Sequence, residues 1–354
     1  MSEQPFISHL FGFRPVKNES RYAWVDYAKG IAIILVVYRH LAYGLLASHV
    51  ALPTSVTSLN DMLYSFRMPL FFLLSGFFFS RSIQKRGPKH FAISKVNTLL
   101  YPYLLWAVFQ ISLQIVFSGY TNSVRTVKDY ANIFLQPRTL DQLWYLFALF
   151  NVTILYLLAS LMVREKKAWQ LVIGMVLLGI APYVQHISAW YDIALHYIFF
   201  AVGDITAAFF LRDNVQQKLS DLRNLLLMLP VFAVLQWYYL HHQHMNLYLF
   251  MLIALNGCLF IISLASWLAH TGKMKFLNVI GHYSLYIYLL HVTIAAVLRA
   301  LLLYAGVSNG VVLLLVTIPA SIYLSIIVYR ACTYWGLGFL FAGKFGEKTA
   351  VKAA

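Results

Sequence analysis

Eight ionisable side chains stand inside long apolar runs of this sequence, where a charge is costly and therefore points to a functional role. They are Lys29, Arg39, His40, Arg67, His196, Asp204, His291 and Arg299. Imidazole titrates near neutral pH, so the first candidate for a general base is His40 and the second is His291. The cations outnumber the single deep acid, Asp204, which predicts that water or a polyanionic ligand completes the charge balance.

The spacing between Lys29 and His40 gives these two residues a common direction on a helix. Eleven residues at about 100° each return to within about 20°, so both side chains lie on one stripe, about 16 Å apart along the axis. Asp26 precedes Lys29 by three residues and can pair with it. The alternative to a functional stripe is a polar seam between packed helices.

The composition predicts that a membrane surrounds these residues. Hydrophobic residues make up 61% of the chain and charged residues 11%, whereas a soluble domain carries about 25% charged residues. The formal net charge of +15 comes from short basic clusters between apolar runs, which is typical of cytoplasmic loops and argues against nucleic acid as a partner. The two cysteines, Cys258 and Cys332, lie inside apolar runs and define neither a disulfide framework nor a metal site.

About ten transmembrane helices can be drawn, each near the 20 residues that cross a hydrocarbon core of about 30 Å. They cover residues 27–47, 62–80, 97–117, 141–163, 168–186, 190–211, 223–241, 245–269, 282–304 and 310–330. Only residues 187–189 separate the fifth run from the sixth, so nine spans remain an alternative. Backbone that faces lipid must satisfy its own hydrogen bonds, which predicts an all-α helical bundle.

The basic residues alternate between loops and so predict the orientation. One set of loops and both termini carry most of them, namely Arg14, Lys17, Arg21, Arg81, Lys85, Arg86, Lys89, Lys95, Arg164, Lys166, Lys167, Arg212, Lys218, Lys273, Lys275, Lys344, Lys348 and Lys352. The other loops carry only Arg125, Lys128 and Arg138. The positive-inside rule therefore places both termini in the cytoplasm. We predict a cytoplasmic segment over residues 1–26, a transmembrane domain over 27–332 and a cytoplasmic or interfacial tail over 333–354.

Four segments in order resemble the acyltransferase family 3 membrane proteins. The first is Asp-Tyr-Ala-Lys-Gly-Ile at residues 26–31 followed by His40, which has the family's spacing of a basic residue, ten residues and a histidine. The second is Phe-Arg-Met-Pro-Leu-Phe-Phe-Leu-Leu-Ser-Gly-Phe at residues 66–77. The third is Leu-Trp-Tyr-Leu at residues 143–146, and the fourth is residues 280–291, which end in Tyr-Leu-Leu-His.

This resemblance implies ten helices, cytoplasmic termini and transfer of an acyl group from an acyl-CoA to a carbohydrate hydroxyl. The form of the first segment is most similar to the fucose 4-O-acetylase-like and exopolysaccharide acetyltransferase branch, which implies acetyl-CoA as the donor and the bacterial inner membrane as the location. The sequence departs from that branch at Arg67, where the branch often has histidine. It also shows no appended esterase-like domain, so we expect a stand-alone enzyme.

The chemistry of acetyl transfer assigns roles to the candidates. His40 would be the general base, acting with Lys29. We expect acetyl-CoA to be a substrate, with no permanently bound cofactor and no metal. The expected acyl-CoA-binding residues are Lys29, Arg39, Arg81, Lys85, Arg86 and Lys89. Those expected to bind the acceptor or the oxyanion are Arg67, Trp144, His291 and Arg299, with Arg39 as an alternative for this role. Asp26, Ser75 and Asp204 are expected to give structural support.

Several of these residues also have explanations that involve no catalysis or substrate binding. The basic cluster at 81–95 would also arise from topology and anionic lipid alone, and Trp144 from an interfacial aromatic belt. Ser75 fits close helix packing better than nucleophilic attack. His241, His242 and His244 lie in an external loop without acidic partners, so we expect them to be solvated rather than to bind zinc.

Two other classes of function remain open on the residues alone. A transporter would also bury charges, although neither inverted repeats nor matched broken helices are visible. A non-catalytic partner in polysaccharide assembly would not need the Lys29–His40 pair. The expected partners are acetyl-CoA, a lipid-linked or polymeric carbohydrate and membrane lipids. The sequence leaves open a homo-oligomer, the acceptor sugar, an acyl-enzyme intermediate and the side on which transfer finishes.

Overall fold

The computed structural model describes residues 22–116, 125–163 and 166–346, and all the regular elements in these ranges are helices. The α-helices are α1 Ala23–Ala47, α2 Thr54–Met62, α3 Tyr64–Phe77, α4 Phe79–Lys95, α5 Tyr101–Val116, α6 Asn132–Leu135, α7 Trp144–Val163, α8 Ala168–Ile180, α9 Ser188–Phe210, α10 Asp213–Leu219, α11 Leu222–His241, α12 Leu247–Thr271, α13 Phe276–His282, α14 Ser284–Tyr304 and α15 Gly310–Tyr334. A π-helical segment, Val96–Leu100, joins α4 to α5. Short 3-10 helices cover Val127–Ala131, Pro137–Leu143, Ala181–Val184 and Leu337–Leu340. Most of the predicted 1–26 segment, together with Arg164, Lys348 and Lys352, lies outside the described residues.

Eight helical stretches within the described residues are long and apolar enough to cross a membrane, which confirms an all-α polytopic membrane protein. They are Ala23–Ala47, Phe79–Val116, Pro137–Val163, Ser188–Phe210, Leu222–His241, Leu247–Thr271, Ser284–Tyr304 and Gly310–Tyr334. These correspond to eight of the ten predicted runs.

The second and fifth predicted runs form shorter helices than the sequence suggests. α3 has 14 residues and α8 has 13, which at 1.5 Å per residue gives about 20 Å each, less than a hydrocarbon core of about 30 Å. The α-helix of the second run is bounded by Leu63 and Phe78, and the fifth continues beyond Ile180 as a 3-10 helix that contains Pro182. The chain turns at residues 185–187, and α8 then packs against α9, so the fifth and sixth runs are separate elements.

Two helices organise the bundle. α1 packs against α3, α12, α13, α14 and α15, and α9 packs against α3, α7 and α8. α3 therefore lies between the two and links them. The central position of α1 places the Lys29–His40 stripe in the interior of the protein rather than against lipid.

Glycines allow the closest helix crossings of this core. A Cβ at Gly30 would overlap the carbonyl oxygen of Leu277, and a Cβ at Gly281 would overlap that of Asp26. The first and fourth of the sequence motifs are therefore packed backbone to backbone. α3 crosses α9 in the same reciprocal way, because Gly76 faces the carbonyl of Phe200 and Gly203 faces that of Leu73. Small residues of this kind let helices approach closely in membranes.

Contacts between segments that are distant in the sequence define the two ends of the bundle. The basic end carries Lys95, Lys167 and Lys344: Lys167 Nζ lies 2.7 Å from Ser80 Oγ, and Asn97 Nδ2 donates to the carbonyl of Phe345 at 3.0 Å. The opposite end carries Asp61 and Asp192, each paired with an arginine. The grouping agrees with the alternation of basic loops in the sequence. The placement of the basic end in the cytoplasm stays a prediction.

The described part of the tail packs against the bundle. α15 continues to Tyr334, two residues beyond the predicted boundary at 332. Phe345 N donates to Asn97 Oδ1 at 3.0 Å, and Trp106 Nε1 donates to the carbonyl of Leu340 at 2.8 Å. The tail thus covers the junction between the π-helical segment and α5 at the basic end.

Candidate functional site

Two histidines from distant parts of the sequence meet inside the bundle. The rings of His40 on α1 and His291 on α14 lie edge to face, with 5.3 Å between their centroids. His291 is completely buried, whereas His40 is partly exposed to a cavity. The packing of α14 against α1 therefore joins the first and second candidates for the general base into one pair.

The hydrogen bond of His291 determines its tautomer. Its Nδ1 lies 2.8 Å from the carbonyl oxygen of Ile287 one helical turn earlier. A carbonyl only accepts hydrogen bonds, so Nδ1 carries the proton and, in the neutral ring, Nε2 carries the lone pair. Nε2 is buried and has no hydrogen-bond partner among the described residues. The ring of His291 thus offers an unused acceptor beside His40.

A cavity of about 510 Å³ opens beside His40. Its polar lining comes from α1, α5, the 3-10 helix before α7, α14 and α15, and consists of His40, Tyr43, Gln114, Asp141, Arg299 and Thr317. Arg299 approaches α1 at Gly44, where a Cβ would lie 2.5 Å from its Nη1. The structure therefore places two predicted site residues, His40 and Arg299, on the wall of one cavity.

A second polar cluster surrounds Tyr64 at the start of α3. The guanidinium carbons of Arg39 and Arg67 lie 4.4 Å and 5.1 Å from the centroid of its ring. Arg39 reaches Asp61 at 3.4 Å. Arg67 is buried and donates from Nη1 to the carbonyl of Leu35 at 2.8 Å and to Asn60 Oδ1 at 2.9 Å. The charges of Arg39 and Arg67 both act on His40, so this cluster adjoins the histidine pair.

Trp144 belongs to a third cluster at the opposite end. The guanidinium carbon of Arg138 lies 4.9 Å from the ring of Trp144 and 5.0 Å from that of Tyr191. Arg138 also forms an ion pair with the buried Asp192 at 2.6 Å. His196, a further intramembrane histidine, stacks on Phe72 with 4.4 Å between centroids. Because a cation already lies over the indole, the predicted stacking of a sugar on Trp144 would have to use its remaining surface.

Lys29 lies in a basic group at the other end of α1. Its charge and that of Arg86 act on Lys95, and Arg86 donates to Ser94 Oγ at 3.0 Å. The helix α4 is kinked at Gly87, whose φ of 72° favours glycine, so the two basic halves of α4 meet at an angle. The predicted acyl-CoA residues Arg81, Lys85, Arg86 and Lys89 are all exposed there.

Arg39 does not lie with the other predicted acyl-CoA residues. Ten residues separate it from Lys29, which is about 15 Å along α1, and its contacts are Tyr43, Asp61 and Tyr64 at the opposite end. The sequence predicts for Arg39 either the donor site or the acceptor and oxyanion. The helical rise places it beside the second polar cluster, away from the basic end.

The residues expected to give structural support are held by the fold. Ser75 Oγ donates to the carbonyl of Phe71 at 2.8 Å within α3. Asp204 accepts from Ser80 Oγ at 2.5 Å and from Tyr156 at 2.9 Å, and it pairs with Lys167 at 3.3 Å. Asp26 is buried at the α1–α13 crossing. The contacts of Asp204 and Asp26 join neighbouring segments, and that of Ser75 stays within its own helix; both kinds agree with a structural role.

Several residues of the polar clusters were not predicted from the sequence. These are Tyr64, Asp61, Arg138 and Asp192, which form the clusters at the opposite end. Lys95, by contrast, belongs to the predicted basic cluster at 81–95 and lies near Lys29. A usable signal was the pairing of isolated charges near the ends of apolar runs, namely Asp61 before the second run and Asp192 at the start of the sixth. Within the described ranges no group of three or more His, Cys, Asp or Glu side chains could hold a metal ion. Nδ1 of His241 and of His242 lies within hydrogen-bond distance of a carbonyl one turn earlier, and the two rings lie against Trp237 and Tyr238.

Comparison with known proteins gives one match. A family model described as an acyltransferase domain, acyltransferase family 3, matches residues 22–330. No curated protein and no solved structure matches the chain. The matched region contains all four sequence motifs and both histidines of the pair.

Proposed function

Because the chain belongs to acyltransferase family 3, we propose that it transfers an acetyl group from acetyl-CoA to a hydroxyl of a cell-surface or exopolysaccharide sugar. The protein has eight helical stretches of membrane-spanning length within the described residues, and the acyltransferase domain covers residues 22–330. The acetyl group, the carbohydrate, a lipid-linked form of that carbohydrate and the bacterial inner membrane are parts of the proposal, and they follow from the resemblance of the first motif to one branch of the family.

A single observation carries the chemistry of this proposal: a histidine pair adjoins a cavity large enough for a substrate group. His40 lines the cavity of about 510 Å³, and the buried His291 lies behind it. A sugar hydroxyl is a weak nucleophile until its proton is removed, and a neutral imidazole can accept that proton. His40 is the member of the pair that a substrate can reach.

The reaction requires one proton to move in and out of His40. The sugar oxygen bonds to the acetyl carbonyl carbon while its proton passes to the free ring nitrogen of His40. When the carbon–sulfur bond of the thioester breaks, CoA leaves as a thiolate and takes this proton to become the free thiol. In the structure, Nε2 of His291 has no hydrogen-bond partner among the described residues. We propose that, once substrate is bound, it accepts a hydrogen bond from the other ring nitrogen of His40 and so supports the step. Such positioned bases contribute about 10²–10⁴-fold to the rate.

The donor and the acceptor enter from different ends in this proposal. CoA carries phosphates, which suit the basic group of Lys29, Lys95 and the exposed cations of α4. Its long pantetheine arm then follows the Lys29–His40 stripe, about 16 Å in length. Arg299 faces the cavity from α14 and is placed to stabilise the oxyanion that develops on the acetyl carbonyl, as cationic groups do in acyl transfer.

The proposal is tested by product formation with purified protein in lipid nanodiscs. Acetyl-CoA is supplied with lipid-linked oligosaccharides or soluble exopolysaccharide, free CoA is measured with a thiol reagent, and acetylated sugar is measured by mass spectrometry. We expect CoA release that depends on the acceptor, together with an acetyl ester on the sugar. The His40→Ala protein serves as the inactive control for CoA release and sugar acetylation. Transport of the glycan in sealed vesicles without any CoA release would instead identify a transporter.

A further inference from the structure

Arg39 is held in a geometry that presents its guanidinium edge to a small cavity. Its guanidinium carbon lies 4.5 Å from the ring centroid of Tyr43 and 4.4 Å from that of Tyr64. Stacking on two aromatic rings uses the faces of the guanidinium and leaves its N–H groups available. The side chain remains 33% exposed. The two tyrosines thus orient a planar set of donors toward open space.

The partners of Arg39 within the described part of the chain do not use these donors fully. Its one hydrogen bond goes from Nη1 to Asp61 Oδ1 and is long, at 3.4 Å. Tyr43 donates to the same oxygen at 2.8 Å. An arginine side chain has five N–H donors, so the fork that would bind a second oxyanion in bidentate fashion is still free. Asp61 is itself 38% exposed, which weakens its neutralising effect through solvent screening.

The charges around Tyr64 do not balance. Arg39 and Arg67 contribute two positive charges; the carboxylate of Asp61 forms its ion pair with Arg39, whereas Arg67 lies over the ring of Tyr64. Arg67 is 1% exposed, its neighbours Asn60 and Leu35 accept only through neutral oxygens, and its Nη2 is buried without a hydrogen-bond partner. A buried cation with neutral partners raises the local positive potential. The site therefore favours one additional negative charge.

The space for that charge is a cavity of about 320 Å³ lined by Arg39, Tyr43, Asp61, Tyr64, Leu240 and Gln243. Tyr43 also lines the larger cavity that contains His40 and Arg299. The two cavities therefore share a wall at the opposite end of the bundle. A ligand that extends past Tyr43 could place one group against Arg39 and another beside His40.

We propose that this second cavity is an anion subsite that binds a carboxylate or phosphate group of the sugar acceptor. The acceptor is then an acidic glycan or a phosphorylated, lipid-linked one, and this inference rests on the proposed acetyl transfer. A neutral sugar ring is a poorer fit, since the guanidinium of Arg39 already covers faces of Tyr43 and Tyr64. The phosphates of CoA are a poorer fit as well, because the exposed cations of α4 lie at the basic end.

Binding of small probes to the complete protein tests the subsite without acetyl transfer. The thermal stability of the protein in detergent is measured against increasing D-glucuronate, glucose 1-phosphate and glucose at constant ionic strength. We expect stabilisation by at least one of the two anionic sugars and none by glucose at equal concentration. A response to glucuronate alone identifies an acidic sugar, and a response to glucose 1-phosphate alone identifies a phosphate group.

Variants of Arg39 assign the binding to this residue. Arg39→Gln should weaken the binding of the anionic sugar about tenfold or more, as expected for the loss of a charged hydrogen-bond donor. Arg39→Lys keeps the charge but loses the fork, so its affinity should lie between those of Arg39→Gln and the wild type. The matched control is Arg212→Gln. Arg212 is exposed, follows the C-terminal end of α9 and lies over the ring of Phe209.

Three results would overturn the subsite: stabilisation by neither anionic sugar beyond that by glucose, equal affinity of wild type and Arg39→Gln, or the same loss in Arg212→Gln. If Arg39→Gln does not fold, the comparison of Arg39→Lys with the wild type decides in the same way. Competition by CoA that is lost in Arg39→Lys would assign the cavity to the donor and refute the inference. Anion binding without acetyl transfer to any acceptor would refute the proposed reaction and leave the subsite intact.

Discussion

At the scale of single residues, the pairing of His40 with His291 gives each ring a different task. His40 reaches the cavity, whereas His291 is buried and held by the carbonyl of Ile287. A ring that cannot reach substrate can still orient the one that does, since the partner of one ring nitrogen decides how the other is presented. The two substitutions therefore have different expected effects.

We expect His40→Ala to lower kcat by about 10²–10⁴-fold, since this is the usual contribution of a positioned base. The partly exposed ring lies in a cavity, so its removal should not impair folding. The amount of protein in the membrane and its elution profile in detergent are the controls. Activity within a few-fold of the wild type would remove His40 from the mechanism.

His291→Gln should lower kcat by about 10-fold or more and leave both KM values within about twofold, because His291 acts through His40 rather than on substrate. The pH dependence of kcat should also shift relative to the wild type, since the imidazole that lies against the ring of His40 is replaced by an amide. A purely structural role would instead reduce the yield of folded protein and leave the pH profile of the remaining enzyme unchanged.

Lys29 tests whether a positive charge on the stripe is sufficient. We expect Lys29→Arg to retain activity, with partial loss because the two cations differ in geometry, and Lys29→Ala to lose it. Initial rates at saturating and limiting acetyl-CoA measure both effects. Equal rates for Lys29→Ala and the wild type would show that the charge has no part in the reaction.

At the scale of helices, the site depends on how closely four segments approach. Gly30 and Gly281 hold α1 against α13, and Gly76 and Gly203 hold α3 against α9. Each of these glycines faces a backbone carbonyl, which cannot move aside as a flexible side chain can. The crossings therefore determine where α1 presents His40 and where α3 presents Arg67.

Gly76→Ala should destabilise the protein by about 1–3 kcal/mol, the usual cost of overpacking a close contact. We expect a lower apparent melting temperature in detergent and a parallel loss of activity. Gly338→Ala is the matched control, because a Cβ at Gly338 meets no atom within 4 Å. Equal melting temperatures for the two variants would contradict the backbone contact at the α3–α9 crossing.

At the scale of the whole molecule, basic residues gather at one end and the two cavities open at the other. Lys29, Lys95 and the cations of α4 belong to the first end, whereas Asp61, Asp141 and Arg299 line the cavities. The Lys29–His40 stripe of α1 runs from the basic end to the end with the cavities. This arrangement predicts that donor and acceptor can be perturbed separately.

Replacement of Lys85, Arg86 and Lys89 by glutamine should raise the KM for acetyl-CoA about tenfold, if each exposed charge contributes about 0.5 kcal/mol. The KM for the acceptor should change little. The triple replacement of Arg212, Lys218 and Arg223 removes the same charge from exposed positions elsewhere and should leave both KM values unchanged. An unchanged KM for acetyl-CoA in the first variant would move the donor site away from α4.

The all-helical membrane architecture and the Lys29–His40 stripe could be predicted from the sequence because both are local. Apolar runs of about 20 residues must be helices in lipid, and helical periodicity alone aligns residues eleven positions apart. The family could also be predicted, since its motifs are short contiguous segments, and the match over residues 22–330 confirms it.

Only the tertiary structure decided which of these residues meet. The contact of His40 with His291 and the ion pair of Arg138 with Asp192 join helices whose relative rotation no local pattern specifies. The second run becomes the short helix α3 because its flanks at Leu63 and Phe78 leave the helical path. The sequence left Arg39 between the donor site and the acceptor, and its contacts with Tyr43, Tyr64 and Asp61 place it at the end opposite the basic group. The charge of a side chain follows from the residue type alone, whereas the groups that it contacts depend on how the helices pack.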